Sequence, residues 1–198
     1  EADASHFRQI GCPQVLHVPA SHPVESFACQ EGRGDYALFH GDLSVAENID
    51  AVRFLATQVF LPGGSHCLTV AGRNPHPSLR QYAHIRIIPN PTDEAMEQLI
   101  RQAQVNILFT RQATGIKLKL LHALYSGRHC LVNPLMVQGT GLSEACHVAD
   151  SAEAMRQALD HLMQLPFTSA HIAQRQALLG QRFSNQASAQ SILALLQE

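Results

Sequence analysis

The strongest constraint on the fold is an alternation of short apolar runs with longer segments of helical periodicity. The candidate strands are residues 15–18, 36–40, 67–71, 84–88, 105–109 and 130–133. The helical patterns between and after them are residues 49–61, 78–82, 92–102, 115–125, 152–165, 170–182 and 186–196. Strands that alternate with helices at this spacing predict βαβ crossovers and a parallel sheet covered on both faces.

We therefore predict an α/β fold, a doubly wound, Rossmann-like parallel sheet followed by a C-terminal helical tail. A chain of 198 residues with 45% hydrophobic content is long enough to bury a substantial core. We expect an N-terminal strand and connecting loop in residues 1–34, the Rossmann-like domain in residues 35–182, and a terminal helix in residues 183–198. Asn48 and Ser151 are predicted to cap helices.

Charge and cysteine content limit the partners and the compartment. A formal net charge of −2 gives no general electrostatic reason to bind nucleic acid, so any anion site must be local. The five cysteines are an odd number without a C-x-x-C pair, which favours a reducing compartment over a disulfide framework. No apolar run reaches the length of a membrane span. We expect a cytoplasmic protein.

The candidate helix at residues 115–125 carries one polar stripe on an otherwise apolar surface. At 100° per residue, Gly115, Lys119 and His122 fall within about 60° of one another. Ligands of open α/β sheets bind beyond the carboxyl ends of the strands, where this helix begins. The free N–H groups at its start, with Gly115 allowing close approach, suit an anion such as a diphosphate. The same stripe can instead be the wetted edge of a half-buried helix.

Three segments carry a family resemblance. G-I-K-L-K-L-L-H-A-L-Y-S-G-R-H-C-L-V resembles the donor-site segment of retaining glycosyltransferases of the GT-B fold, of the glycosyl transferases group 1 type. Y-A-L-F-H-G-D-L-S-V-A-E-N-I-D-A-V-R-F-L resembles the strand, glycine loop and helix of that family, and L-T-V-A-G-R-N-P-H-P-S-L its next strand and turn. Order and spacing agree over residues 15–142.

The resemblance implies that this chain, which begins at Glu1 rather than Met, is the C-terminal, nucleotide-sugar-binding half of a two-domain enzyme. The whole enzyme would move a hexosyl group from a nucleotide-diphosphate sugar to a glycan or lipid-linked acceptor, in the cytoplasm or peripherally at the inner face of the membrane. The missing N-terminal half would hold the acceptor, so this piece alone is not expected to be competent. The last helix would cross to that half, or pair two copies as a homodimer.

The resemblance also implies the site residues. Lys117 and Lys119 are the predicted catalytic residues, which would stabilise charge developing on the leaving diphosphate. The predicted donor-binding residues are Arg73, Gly41, Gly115, His122, Gly139, Thr140, Gly141 and Glu144. From the residues alone, the 139–141 segment can also be a plain loop and Glu144 an exposed carboxylate.

No metal and no cofactor other than the donor substrate is predicted. None of the twelve histidines stands in a recognised metal-ligand spacing. His17, His40, His66 and His84 flank or lie in candidate strands, where isolated histidines with satisfied hydrogen bonds are expected.

Three residues depart from the family's pattern. Asp42 and Glu47 stand where many relatives place an Arg and a Lys, and His122 stands where the family has the Glu that binds the nucleotide ribose. An imidazole cannot accept the pair of hydrogen bonds that a carboxylate accepts. These departures favour an alternative, a catalytically degenerate binding or scaffold domain with the same fold.

Overall fold

The structure is a computed structural model that describes residues 2–16, 18, 27–112 and 118–196. Its strands are β1 (Ala37–His40), β2 (Leu68–Gly72), β3 (Arg86–Pro89), β4 (Val105–Leu108), β5 (His129–Val132) and β6 (His147–Val148). Its α-helices are α1 (Ala2–Gln9), α2 (Ala46–Phe54), α3 (Asp93–Gln102), α4 (Leu118–Ser126), α5 (Pro134–Val137), α6 (Ala152–Gln164), α7 (Ser169–Arg182) and α8 (Asn185–Leu195).

The strands form a parallel sheet in the order β3-β2-β1-β4-β5-β6. From β1 the sheet extends through β2 to β3 on one side, and through β4 and β5 to β6 on the other. This reversal between β1 and β4 is the topological switch point of a doubly wound sheet, where helices diverge and leave a crevice beyond the strand ends. The predicted α/β, Rossmann-like fold is confirmed.

Helices cover both faces of the sheet, which explains why its strands appear in the sequence as continuous apolar runs. On one face, Leu55 and Leu159 pack in a cluster with Phe39 and Ile107. On the other face, α3 packs on β1 and β2, and α4 packs on β4 and β5. The residues of β4 and β5 are buried throughout, and the prediction that these strands are central is confirmed.

Two helix caps agree with ordinary N-cap chemistry, and one predicted cap is wrong. The Ser151 hydroxyl accepts from the Ala154 N–H at the start of α6, as predicted, and Thr92 caps α3 in the same way. The N-cap residue of α2 is Val45 and not Asn48. Asn48 lies inside the helix because its side chain is used elsewhere, in bonds to the loop before α2 and to α4. A π-helical turn, Leu55–Val59, then ends the helical segment before Pro62.

The predicted N-terminal strand is not present among the residues described there. Residues 15, 16 and 18 form no strand, and His17 lies outside the described residues. A short β-branched run makes a strand only where a neighbouring strand pairs its backbone groups, and none does so here. The chain instead contains α1, which was not predicted. The edge strand β6 was also missed, because its two residues are exposed and give no apolar signal.

The segments that precede β1 and follow β6 in the chain differ in how closely they pack on the rest of the fold. Phe27 stacks on Tyr125 with ring centroids 4.4 Å apart, and Gly32 pairs with Phe167 through two backbone bonds. Helix α8 leaves Ile192, Leu193 and Leu195 exposed. The predicted division at residues 34 and 182 and the crossing of the last helix stay predictions. Within the described residues, no helix combines the length and apolar character needed to cross a membrane.

Gly72 should be essential to the loop that follows β1. A Cβ atom at position 72 would lie 1.7 Å from the Gly41 carbonyl oxygen, so Gly72→Ala must push that loop away. We expect this variant to lose about 1–3 kcal/mol of unfolding free energy in urea denaturation. As a control, Gly180→Ala on α7 meets nothing within 4 Å and should gain about 0.5–1 kcal/mol. Equal effects of the two changes would contradict the close approach.

Candidate functional site

Side chains just beyond the carboxyl ends of β4 and β5 form hydrogen bonds that connect the switch point to α2. The Thr110 N–H donates to Asn133 Oδ1 at 3.1 Å, and Asn133 Nδ2 donates to the Thr110 carbonyl oxygen at 2.7 Å. The Thr110 hydroxyl donates to the Glu47 carboxylate on α2. Three elements that are distant in sequence are therefore held at one end of the sheet by polar bonds, which is the place where the fold predicts a ligand.

Lys119 reaches from α4 across the end of β1. Its Nζ donates to Asn48 Oδ1 at 2.9 Å and lies 5.2 Å from the centroid of the Phe39 ring. Asn48 Nδ2 in turn donates to the Asp42 carbonyl oxygen at 2.8 Å. Asn48 also packs against Gly41, where an added Cβ would lie 3.0 Å from its Nδ2. The predicted residues Lys119 and Gly41 are thus brought together, through a side chain that had been predicted only as a cap.

His122 lies one helical turn from Lys119 and pairs with a carboxylate that sequence reasoning missed. His122 Nε2 is 2.5 Å from Glu97 Oε2, and Glu97 Oε1 accepts from Arg101 Nε at 2.8 Å. Burial raises the pKa of Glu97, but the hydrogen bond and the charge of His122 outweigh it and leave the pKa below its ordinary value. Position 122 lacks the family's carboxylate, yet a carboxylate stands beside it, supplied by α3. No motif links residues 97 and 122, so only the packing of α3 against α4 could reveal the pair.

The two acidic departures, Asp42 and Glu47, are both engaged by neighbouring donors. The Asp42 carboxylate accepts from the Ser44 hydroxyl at 2.6 Å and the Ser44 N–H at 2.9 Å, and these bonds lower the pKa of Asp42. Glu47 is bound by Thr110. Both carboxylates are therefore held by local hydrogen-bond donors and keep their side chains within the loop and α2.

Two other predicted residues, Arg73 and Glu144, have exposed side chains. Arg73 Nη2 is 3.6 Å from Asp93 Oδ1, with both side chains largely exposed. Glu144 is exposed in a short 3-10 turn after α5. Gly115 and Lys117 fall outside the described residues. Their proposed roles stay predictions.

The predicted glycine loop at residues 139–141 has its own turn chemistry. Gly139 and Gly141 both have φ of 71°, in the left-handed region that glycine adopts without strain. The Thr140 hydroxyl donates to the Val137 carbonyl oxygen at 2.7 Å and accepts from the Leu142 N–H. This geometry explains the residue types without a ligand, so phosphate binding by this loop also stays a prediction.

The histidines near the strands divide into satisfied and unsatisfied groups. His66 Nε2 pairs with Asp160, and His84 Nε2 bonds the Ala56 carbonyl oxygen. His40 does not follow the expectation of a satisfied histidine, because its buried Nε2 has no hydrogen-bond partner among the described residues. Within the residues that the structure describes, no three His, Cys, Asp or Glu side chains converge as a metal site would require.

Comparison with known proteins identifies the fold through structure only. No family model and no curated protein sequence matches the chain. Its fold matches TarM over 100% of the chain, with a TM-score of 0.72 and 9% identity. The GtfA/B complex matches over 99%, with a TM-score of 0.68 and 15% identity. The UDP-forming α,α-trehalose-phosphate synthase from Burkholderia xenovorans matches over 84%, with a TM-score of 0.62 and 14% identity.

These neighbours are glycosyltransferases of the GT-B fold. The present chain spans 42%, 43% and 45% of their respective lengths, which is less than half of each. It has the fold of the C-terminal domain of a GT-B glycosyltransferase, and the resemblance that its sequence motifs indicated is confirmed at the level of the fold.

A glutamate at position 122 should be destabilising in this chain. His122→Glu would place a second carboxylate against Glu97 and remove its imidazole partner, at a cost of about 1–3 kcal/mol in urea unfolding at pH 7. Adding Glu97→Gln should recover most of that loss. The matched control is His66→Glu beside Asp160, whose side chain is 63% exposed, where screening should limit the cost to about 0.5 kcal/mol. Additive effects of the two changes at 97 and 122 would contradict their coupling.

Two buried histidines should make the folded state less stable in acid. Burial, with the charges of His122 and Lys119, lowers the pKa of His40 to about 3, and burial lowers that of His129 to about 4. Below pH 6.5 the unfolded chain takes up these protons and the folded chain does not. The stability is therefore complete above about pH 6.5 and is lost as the pH falls toward the folded pKa values.

We expect the free energy of unfolding, measured in urea, to fall between pH 6.5 and 4.5 by at most about 1.4 kcal/mol per pH unit for each ring. Glu97 contributes little to this window, because a carboxyl with a lowered pKa loses its stabilising effect only below its ordinary value of 4.5. His40→Phe should make the decline shallower. An unchanged slope in that variant would show that the pKa of His40 is the same in the folded and the unfolded chain.

Proposed function

We propose that this chain is the donor-binding half of a glycosyltransferase that moves a hexosyl group from a nucleotide-diphosphate sugar to an acceptor. The observation that carries the proposal is the position of Lys119. Its ammonium group lies at the carboxyl edge of the sheet, at the switch point, beside the loop that contains Gly41 and Asp42. That edge is where doubly wound folds bind nucleotides.

The polar groups of this crevice suit the two parts of a nucleotide sugar. Lys119 would neutralise the diphosphate and stabilise the charge that develops on it as the glycosidic bond breaks. His122, oriented by Glu97, presents an imidazole whose second ring nitrogen can bond an uncharged hydroxyl group of the nucleotide. Lys117 and Gly115 are proposed to complete the phosphate contacts at the start of α4.

The acceptor and the rest of the enzyme are proposed to lie in a second half, since this chain spans only 42%, 43% and 45% of the lengths of the three structural neighbours. A glycan or a lipid-linked acceptor would bind there. Helix α8, with Ile192, Leu193 and Leu195 exposed, offers an apolar surface for that half or for a second copy of the chain. We propose a cytoplasmic location, with attachment at the inner face of the membrane as the alternative.

The alternative function is a binding or scaffold domain that holds no nucleotide sugar, which the carboxylates of Asp42 and Glu47 in the crevice favour. A thermal-shift panel of UDP-, GDP- and ADP-sugars separates the two functions. A ligand at 100 times its dissociation constant should add about 2.7 kcal/mol of stability. Absence of any stabilisation across the panel would support the scaffold function and contradict the donor-binding one.

Lys119→Met should weaken nucleotide-sugar binding while leaving the fold intact. Methionine keeps the apolar stem over Phe39 but removes the cation, so a charge-assisted bond worth about 1.5–3 kcal/mol is lost. We expect the dissociation constant for the ligand found in the panel to rise about 10- to 150-fold by calorimetry. Arg156→Met removes a cation from α6, where the guanidinium bonds the Gln58 carbonyl oxygen, and should leave that constant unchanged. A similar loss in both variants would indicate only a general charge effect.

A further inference from the structure

Among the described residues, four buried side-chain polar atoms lack a hydrogen-bond partner, and one of them lies in the crevice. The four are His40 Nε2, Asn106 Oδ1, Ser126 Oγ and Arg128 Nε. Ser126 is the last residue of α4, Arg128 directly precedes β5 at the opposite end of the sheet, and Asn106 lies within β4. His40 is the last residue of β1, at the carboxyl edge beside the switch point.

The surroundings of His40 come from α3 and α4. Because side chains alternate along a strand, His40 shares a face with Leu38, which packs against Ile100 of α3. The His122 ring stands edge-on to the His40 ring with centroids 6.1 Å apart. His40 is thus placed next to the polar stripe of α4, within reach of the charges of both Lys119 and His122.

The His40 ring is neutral near pH 7, since burial and the two neighbouring groups lower its pKa to about 3. A neutral imidazole nitrogen makes one hydrogen bond, either as donor or as acceptor. It therefore suits a hydroxyl, amide or carbonyl group better than a phosphate, for which Lys119 is the stronger partner. A buried polar atom without a partner destabilises the fold, and an apolar ring of similar size in its place would not.

We propose that His40 binds an uncharged polar group of the nucleotide sugar through Nε2, beside the diphosphate held by Lys119. This role rests on the proposed function of the crevice. Nε2 is enclosed in this structure, in which Lys119 bonds Asn48, and the proposed role includes a movement of Lys119 toward the ligand anion that uncovers the His40 ring. The four side-chain torsions of lysine allow that movement. His40 would then act as a residue that selects the neutral part of the donor.

The test compares His40→Phe with His129→Phe, another buried histidine, which lies at the opposite end of the sheet and whose Nε2 bonds the Leu165 carbonyl oxygen at 3.1 Å. Calorimetry with UDP, GDP, ADP and the matching nucleotide sugars measures binding, and inorganic pyrophosphate serves as the probe for the phosphate subsite alone. We expect His40→Phe to weaken the preferred nucleotide about three- to tenfold, with pyrophosphate binding unchanged and the unfolding midpoint equal or higher. His129→Phe should lower the midpoint and leave every affinity unchanged.

A loss already present with the nucleoside diphosphate assigns the contact to the nucleoside, and a loss seen only with the nucleotide sugar assigns it to the hexose. His40→Gln, which restores a hydrogen-bonding group, should recover part of the affinity and replaces the first variant if the phenylalanine ring prevents folding. Unchanged nucleotide affinity in His40→Phe, or an equal loss with pyrophosphate, overturns the role of His40 but leaves the proposed function standing. If the unaltered chain binds none of these probes, the proposed function and the role of His40 fall together.

Discussion

The parallel pairing of β1 with β2 on one side and with β4 on the other is the constraint on which the rest of the structure depends. β1 pairs along its whole length with β2, and Ala37 and Leu38 pair with Val105 and Asn106 of β4. Since all strands run in the same direction, this arrangement brings the ends of β1, β4 and β5 to one edge. The polar side chains of the crevice reach that end of the sheet from β1, from α2, α3 and α4, and from the residues that follow β4 and β5.

The polar bonds at this edge hold the crevice together as much as they prepare it for a ligand. Asn48 ties α4 to the loop after β1, and Thr110 ties α2 to the end of β5 through Asn133. Polar groups in a medium of low dielectric constant bond strongly when paired and destabilise when left unpaired. An anion that displaced Asn48 from Lys119 would therefore compete with an existing bond, and its net gain would be the difference between the two.

The sequence predicted the fold well because its main signals are local. Apolar runs indicated β1 to β5, and helical periodicity with Ser151 at a helix start indicated α6. The wrong strand at residues 15–18 and the missed strand β6 arose because pairing with a neighbour, not composition, decides whether a short run becomes a strand. The site was predicted only partly. Lys119 and His122 share a face of α4, which periodicity can show, whereas Glu97 approaches His122 only through the packing of α3 on α4.

The pairing of Glu97 with His122 and the unpartnered state of His40 bear on the choice between a binding site and a scaffold. In a domain needed only for its fold, an apolar ring at position 40 would avoid the cost of about 1–3 kcal/mol that a buried unpaired polar atom carries. Likewise, a half-buried imidazole held at 2.5 Å by an ionised carboxylate places a polar pair on a helix whose buried side chains are otherwise apolar, apart from Tyr125 and Ser126. Polar side chains at these positions give less stability than apolar packing would. A bond from His40 Nε2 to an uncharged polar group of a ligand in the crevice would offset the cost of leaving that atom unpaired.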